Sequence, residues 1–143
     1  MLRDEAIPAE DRLDHVSILL ADDHEDFLAT TVRELAAHFD VVKAVGDGQA
    51  LLAEAARLEP DVVVLDISMP VLNGIEAARK LKAAGSAAKV VFLTMHADPD
   101  YVHAAFAAGA LGYVIKSRLA TDLLPSIREA LAGRRFVSPS ITL

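Results

Sequence analysis

Five short apolar runs alternate with longer stretches of helical spacing, and this alternation constrains the chain more than any other feature. The runs are Val16–Leu20, Val41–Val45, Val62–Leu65, Val90–Thr94 and Gly112–Ile115. Several are apolar without a period of two, as expected of parallel strands covered on both faces. Between them, Leu28, Val32 and Leu35 form one apolar stripe, Leu51, Ala55 and Leu58 a second, and Leu124, Ile127 and Leu131 a third. Residues 74–84 carry a weaker stripe of Ile75, Ala78 and Leu81. The alanine-rich residues 99–108 are anchored by Val102 and Phe106, with Pro99 suited to a helix start and Gly109 to its end. Five strand–helix pairs of this kind predict a doubly wound α/β fold with a parallel sheet.

Composition bounds the chemistry. At 143 residues and 53% hydrophobic content the chain has material for one core. It has no cysteine, which removes disulfides and thiolate metal sites and leaves oxygen and nitrogen ligands. A formal charge of −7 argues against direct binding of nucleic acid by this chain. No run is long and apolar enough to span a membrane, and the first fifteen residues lack the apolar core of a signal peptide, so a cytoplasmic protein is expected. Residues 1–15 read as a flexible tail, 16–132 as the folded domain, and 133–143 (GRRFVSPSITL) as a linker.

Sites in open α/β sheets form beyond the carboxyl ends of the strands. The first run ends at Asp22 and Asp23, the third at Asp66, the fourth at Thr94 and the fifth at Lys116. Three carboxylates, a hydroxyl and an ammonium would therefore share one rim. Two carboxylates ~4 Å apart repel by roughly 4 kcal/mol at an effective dielectric near 20, so the grouping calls for a cation. Magnesium suits carboxylate oxygens, waters and a phosphate. Asp66 could then attack phosphorus, with Thr94 and Lys116 contacting the transferred group. Taken singly, each residue has a plainer role: Asp22 and Asp23 as helix caps, Thr94 as a strand residue, Lys116 as a surface charge and Tyr113 as core.

The strings LLADDHEDF, VVVLDISMPVLNGIEAARKL, KVVFLTMHADPDYVHAAFAAGALGYVIK and FVSPSI carry a resemblance. Over roughly residues 16–140 the chain resembles the receiver domains of two-component response regulators, and LTMH, AGALGYVIKS and the closing SP resemble the NarL/FixJ-like subfamily. That resemblance implies a flavodoxin-like, five-stranded parallel sheet of order 2-1-3-4-5 with five helices. It implies Asp66 as phosphoacceptor, Asp23 as a direct magnesium ligand, Asp22 as a ligand largely through water, and the Ser68 backbone carbonyl as a further ligand; manganese would also serve. Thr94 becomes the switch hydroxyl, Lys116 the phosphate partner, and Tyr113 the aromatic that swings inward on activation. His24, Met69, Met95 and His96 form the rim, and Ser68 and His96 hold positions that tune dephosphorylation. Ser117 stands where many receivers have proline, which argues against a cis peptide there, and the bulk of Met95 is expected to restrict access.

The expected function is a phosphorylation-dependent switch rather than an enzyme turning over an external substrate. A sensor histidine kinase or phosphotransfer protein would donate the phosphoryl group. A homodimer through the fourth helix, fifth strand and fifth helix is the expected self-association, with output to transcription through an effector domain. Three other readings are weaker. A magnesium phosphohydrolase needs an acid two residues beyond the nucleophile, where Ser68 stands. A flavin binder would be repelled by the acids of Asp22–Asp26. A phosphorylation-independent module leaves Asp66 and Lys116 without a use.

Overall fold

The computed structural model describes residues 15–141, so most of the expected N-terminal tail, residues 1–14, lies outside the described residues. The elements run β1 (Ser17–Ala21), α1 (Glu25–Ala36), β2 (Asp40–Val45), α2 (Gly48–Leu58), β3 (Val62–Leu65), α3 (Gly74–Ala83), β4 (Lys89–Thr94), α4 (Pro99–Ala107), β5 (Gly112–Ile115), a single 3₁₀ turn (Lys116–Arg118), α5 (Leu119–Leu131) and β6 (Phe136–Val137). Each neighbouring pair of strands is parallel, and the order is β2-β1-β3-β4-β5-β6.

The strands divide their side chains by alternation, although the sequence hides it because both faces are covered. Ile18, Leu20, Val62, Val64, Val91, Leu93 and Val114 face one core with Leu35, Leu123 and Ile127 from α1 and α5. Leu19, Ala21, Val63, Leu65, Phe92 and Tyr113 face the other, with Leu51, Ile75, Leu81 and Val102 from α2, α3 and α4. On α5 the buried stripe is Leu119, Leu123, Ile127 and Ala130, rotated from the expected one, and it also buries the polar Asp122 and Ser126. There α5 lies so close to β5 that a Cβ on Gly112 would stand 2.2 Å from Ser126 Oγ.

One expectation is corrected. The sheet has six strands, because Phe136–Val137, inside the segment expected to be a linker, pairs in parallel with Gly112 and Tyr113 of β5. Two apolar residues next to arginines leave almost no periodic signal, and a strand this short is made by its partner's open edge rather than by its own propensity.

Helix starts follow local chemistry. Asp47, Asn73 and Asp98 cap α2, α3 and α4 by accepting from Ala50, Glu76 and Asp100 backbone N–H groups. The first helix differs: His24 occupies its cap position and makes no side-chain cap bond. Neither Asp22 nor Asp23 is therefore used as its cap.

Candidate functional site

The carboxyl ends of β1 and β3 lie at the point where the strand order reverses, and the acidic residues gather there. Asp22, Asp23, His24 and Asp66 offer ligand atoms all within 4.8 Å of one another. Asp22 and Asp66 are buried at 4% and 3% exposure, whereas Asp23 faces solvent. Lys116, buried just beyond β5, places Nζ 2.8 Å from Asp22 Oδ2 and 2.9 Å from Asp66 Oδ2. The same ammonium lies 4.6 Å from the centroid of the Phe27 ring, which closes its other side. Burial alone would lower the Lys116 pKa, but hydrogen bonds and charge from Asp22 and Asp66 outweigh it and hold the group above its ordinary value. Three carboxylates against one ammonium leave an excess of two negative charges, and the donor set of oxygens around it fits a hard divalent cation.

His24 borders this cluster, its side chain 57% exposed, and turns a ring nitrogen towards it. Its Nδ1 is 3.1 Å from Asp22 Oδ1, 3.3 Å from Asp23 Oδ1 and 3.4 Å from Lys116 Nζ. Asp66 Oδ1 accepts from the Ile67 N–H at 2.7 Å, so Oδ2 is the oxygen turned to Lys116.

The loop after Asp66 is held by glycines. A Cβ on Gly74 would stand 2.0 Å from the Asp66 carbonyl oxygen, and one on Gly48 would stand 2.2 Å from that of Leu72. The N–H of Gly74 donates to Ile67 O at 2.7 Å. Between these points Val71 takes φ +70°, with Leu72 N–H donating to Pro70 O, a tight turn seldom formed by a β-branched residue. Met69 is buried in the core and also borders the recess of about 730 Å³ formed with Asp23, Ser68 and Tyr101. Met95 is exposed and borders a separate recess with Phe27, Thr30 and Lys116.

Thr94, Tyr113 and Ser68 are joined through His96. Thr94 is fully buried, and its Oγ1 accepts from the His96 N–H at 3.3 Å. Ser68 Oγ and His96 Nε2 share a hydrogen bond of 2.7 Å, and the imidazole stacks on Tyr101 with centroids 4.3 Å apart. Tyr113 is already inside: it is fully buried, and its hydroxyl donates to His96 O at 2.6 Å. Burial first, then the nearby charge of Asp66, pushes its phenol well above the usual range. The peptide from Lys116 to Ser117 is trans, as are the others described.

The sequence singled out neither the supporting role of Phe27 and Tyr101 nor the pair Asp122 and Ser138. Asp122 is buried on α5 and accepts from Ser138 Oγ at 2.8 Å. An acid at i−1 to the apolar Leu123, on the face turned to the sheet, is the signal that could have found it.

The family described as "Response regulator receiver domain" matches residues 18–128. The chain is 35% identical over 129 residues to the response regulator GacA of Pseudomonas viridiflava, covering 88% of this chain and 60% of that protein. It is 34% identical to the uncharacterized transcriptional regulatory protein YvfU of Bacillus subtilis, covering 89% of this chain and 64% of that one. This chain thus spans about 60% of the length of these curated relatives. Among solved structures, a LuxR-family two-component response regulator from Aurantimonas superposes with a TM-score of 0.85 at 35% identity, covering 90% of this chain and 93% of that one. The isolated receiver domain of RcsB from Salmonella enterica serovar Typhimurium, solved in the presence of phosphomimetic beryllofluoride, gives 0.81 at 26% identity, covering 90% and 96%. The chain belongs to the response regulator receiver domain family.

Proposed function

We propose that the chain is a switch that takes a phosphoryl group on Asp66 from a phosphohistidine of a sensor kinase or phosphotransfer protein. The observation that carries the reading is the buried Asp66 carboxylate, with Lys116 Nζ 2.9 Å from Oδ2 and Asp22 and Asp23 in the same cluster. In the transfer an Asp66 oxygen bonds to phosphorus as the bond from phosphorus to the donor imidazole nitrogen breaks, its electron pair staying on the imidazole. Lys116 faces the charge that builds on the phosphoryl oxygens, and Thr94 offers its hydroxyl to one of them.

Magnesium, or manganese in its place, would be held by Asp23, Asp22, Asp66 and the Ser68 carbonyl; it supplies charge neutralisation between acceptor and phosphoryl group. Several oxygens with an uncompensated negative charge support that assignment. Thr94, Tyr113 and His96 carry the change outward. The face of α4, β5 and α5 serves for contact with a second copy. The naming of relatives as transcriptional regulators supports an output to transcription through an effector domain. No described helix is long and apolar enough to cross a membrane, and a cytoplasmic place for the switch goes with this family.

The test is incubation with magnesium and acetyl phosphate, followed by intact mass. A base-labile adduct on the wild-type chain, absent from Asp66→Asn, is the expected result. An unmodified wild-type chain, with candidate kinases as well, overturns the reading.

A further inference from the structure

We infer that β6 is a displaceable strap across the edge of β5, latched by Asp122 and Ser138, whose docking is set by the state of the acceptor site. The inference rests on Asp66 as the phosphoacceptor.

The segment is held from three sides. Phe136 and Ser138 N–H groups donate to Leu111 O and Tyr113 O, both at 2.9 Å, on the edge of β5. Arg135 lies 4.8 Å from the centroid of the Phe106 ring on α4. Ser138 is fully buried, and its hydroxyl works in both directions: it donates to Asp122 Oδ2 on α5 at 2.8 Å and accepts from Ile115 N–H at 3.1 Å. A serine in a mere connector has no cause to be placed so. The α4–β5–α5 face is thus partly covered by the chain's own residues 135–138.

Two paths join the strap to Asp66. Tyr113 gives its hydroxyl to His96, which is bonded to Ser68 beside the acceptor, and gives its carbonyl to Ser138. Lys116, 2.9 Å from Asp66, directly follows Ile115, whose N–H is bonded to the Ser138 hydroxyl. A phosphoryl group adds about −1.5 to −2 charges, so Lys116 must rearrange its bonds to Asp22 and Asp66. That shift falls on the residue next to the latch. A strand of two residues has few bonds to lose, so a small change in β5 suffices to free it. Release bares the outer N–H and C=O groups of β5, a ready surface for strand pairing.

The test is amide hydrogen exchange at Ile115, Phe136 and Ser138 of the full chain, with and without magnesium plus beryllofluoride, while ¹⁹F NMR reports bound fluoride. In the wild-type chain the three amides should exchange about tenfold faster on binding, as for a local opening equilibrium that moves with the site. Tyr113→Phe, which keeps the ring and the backbone carbonyl, should lose most of that change. Ser138→Ala should exchange fast even without ligand, and Asp122→Asn serves if that variant does not fold. Bound fluoride with unchanged exchange at the three amides overturns the inference and leaves the acceptor reading intact. No bound fluoride overturns both.

Discussion

Ser68 Oγ and His96 Nε2, 28 positions apart, meet at 2.7 Å and tie the loop after Asp66 to the loop that follows β4. The bond restrains the loop that follows Asp66, so Ser68→Ala should let acetyl phosphate react faster. The expected gain is about fivefold, the equivalent of one net hydrogen bond of roughly 1 kcal/mol. The backbone carbonyl assigned to the cation is kept in this variant. The rate at which the adduct appears by intact mass is the measurement, and an equal or slower rate contradicts the restraining role given to the pair.

Val71 is strained, with φ +70° and 80% of its surface exposed, so its side chain gives little in return. Val71→Gly should raise the denaturant midpoint, for a net gain in stability of about 1 kcal/mol: strain relief of roughly 1–3 kcal/mol less the added freedom of the unfolded chain. A fall in the midpoint would mean that the turn is comfortable for valine.

Three glycines with different surroundings give a graded series. Gly74→Ala meets a backbone carbonyl and should cost about 2–3 kcal/mol while displacing Asp66. Gly85→Ala finds open space but φ +77°, and should cost about 1–2 kcal/mol from conformation alone. Gly46→Ala has neither obstacle and should stay within about 0.5 kcal/mol. Equal losses at Gly74 and Gly46, read by chemical denaturation, would remove the close-approach account.

The five main strands were legible because unbroken apolar runs such as Val62–Leu65 admit few other uses, and the site because Asp22, Asp23, Asp66 and Lys116 each close such a run. The direction of side chains was not. Nothing in the string DDH says that His24 turns towards a cluster completed by Asp66 and by Lys116, the latter 92 positions away. The sixth strand was hidden for a related reason: Phe136–Val137 is ordered by an edge on β5 and by a carboxylate on α5, and neither is local.

The Asp122 carboxyl sits buried; burial would raise its pKa, but bonds from Ser138, Arg118 and Thr121 prevail and lower it. A carboxyl lowered by folding contributes stability above its unfolded value, about 4, and loses that contribution as pH falls through the folded value. Stability should therefore fall more between pH 7 and pH 3 in the wild-type chain than in Asp122→Asn. Ser138→Ala, which leaves that charge short of its nearest donor, should cost about 1–3 kcal/mol at pH 7. Parallel pH curves for wild type and Asp122→Asn would show that the carboxylate contributes nothing.

Magnesium should stabilise the fold through the oxygens of Asp22, Asp23 and Asp66. At a hundredfold excess over its dissociation constant a single site adds about 2.7 kcal/mol, or roughly 5–10 °C in Tm for a domain of this size. Asp23→Ala should abolish the rise. His24 side-chain resonances should move on magnesium addition, because its ring now lies 3.3 Å from Asp23 Oδ1. A rise of the same size in Asp23→Ala would reassign the ligand.

Lys116, set between Asp22 and Asp66, gives the domain a tethered counter-ion. Were an ion bound there, a chelator would take away only part of the positive charge that the two aspartates see. In the proposed switch, ion occupancy would then be a condition for phosphoryl transfer and not for folding, and a chain awaiting its donor would stay intact in a metal-poor cell.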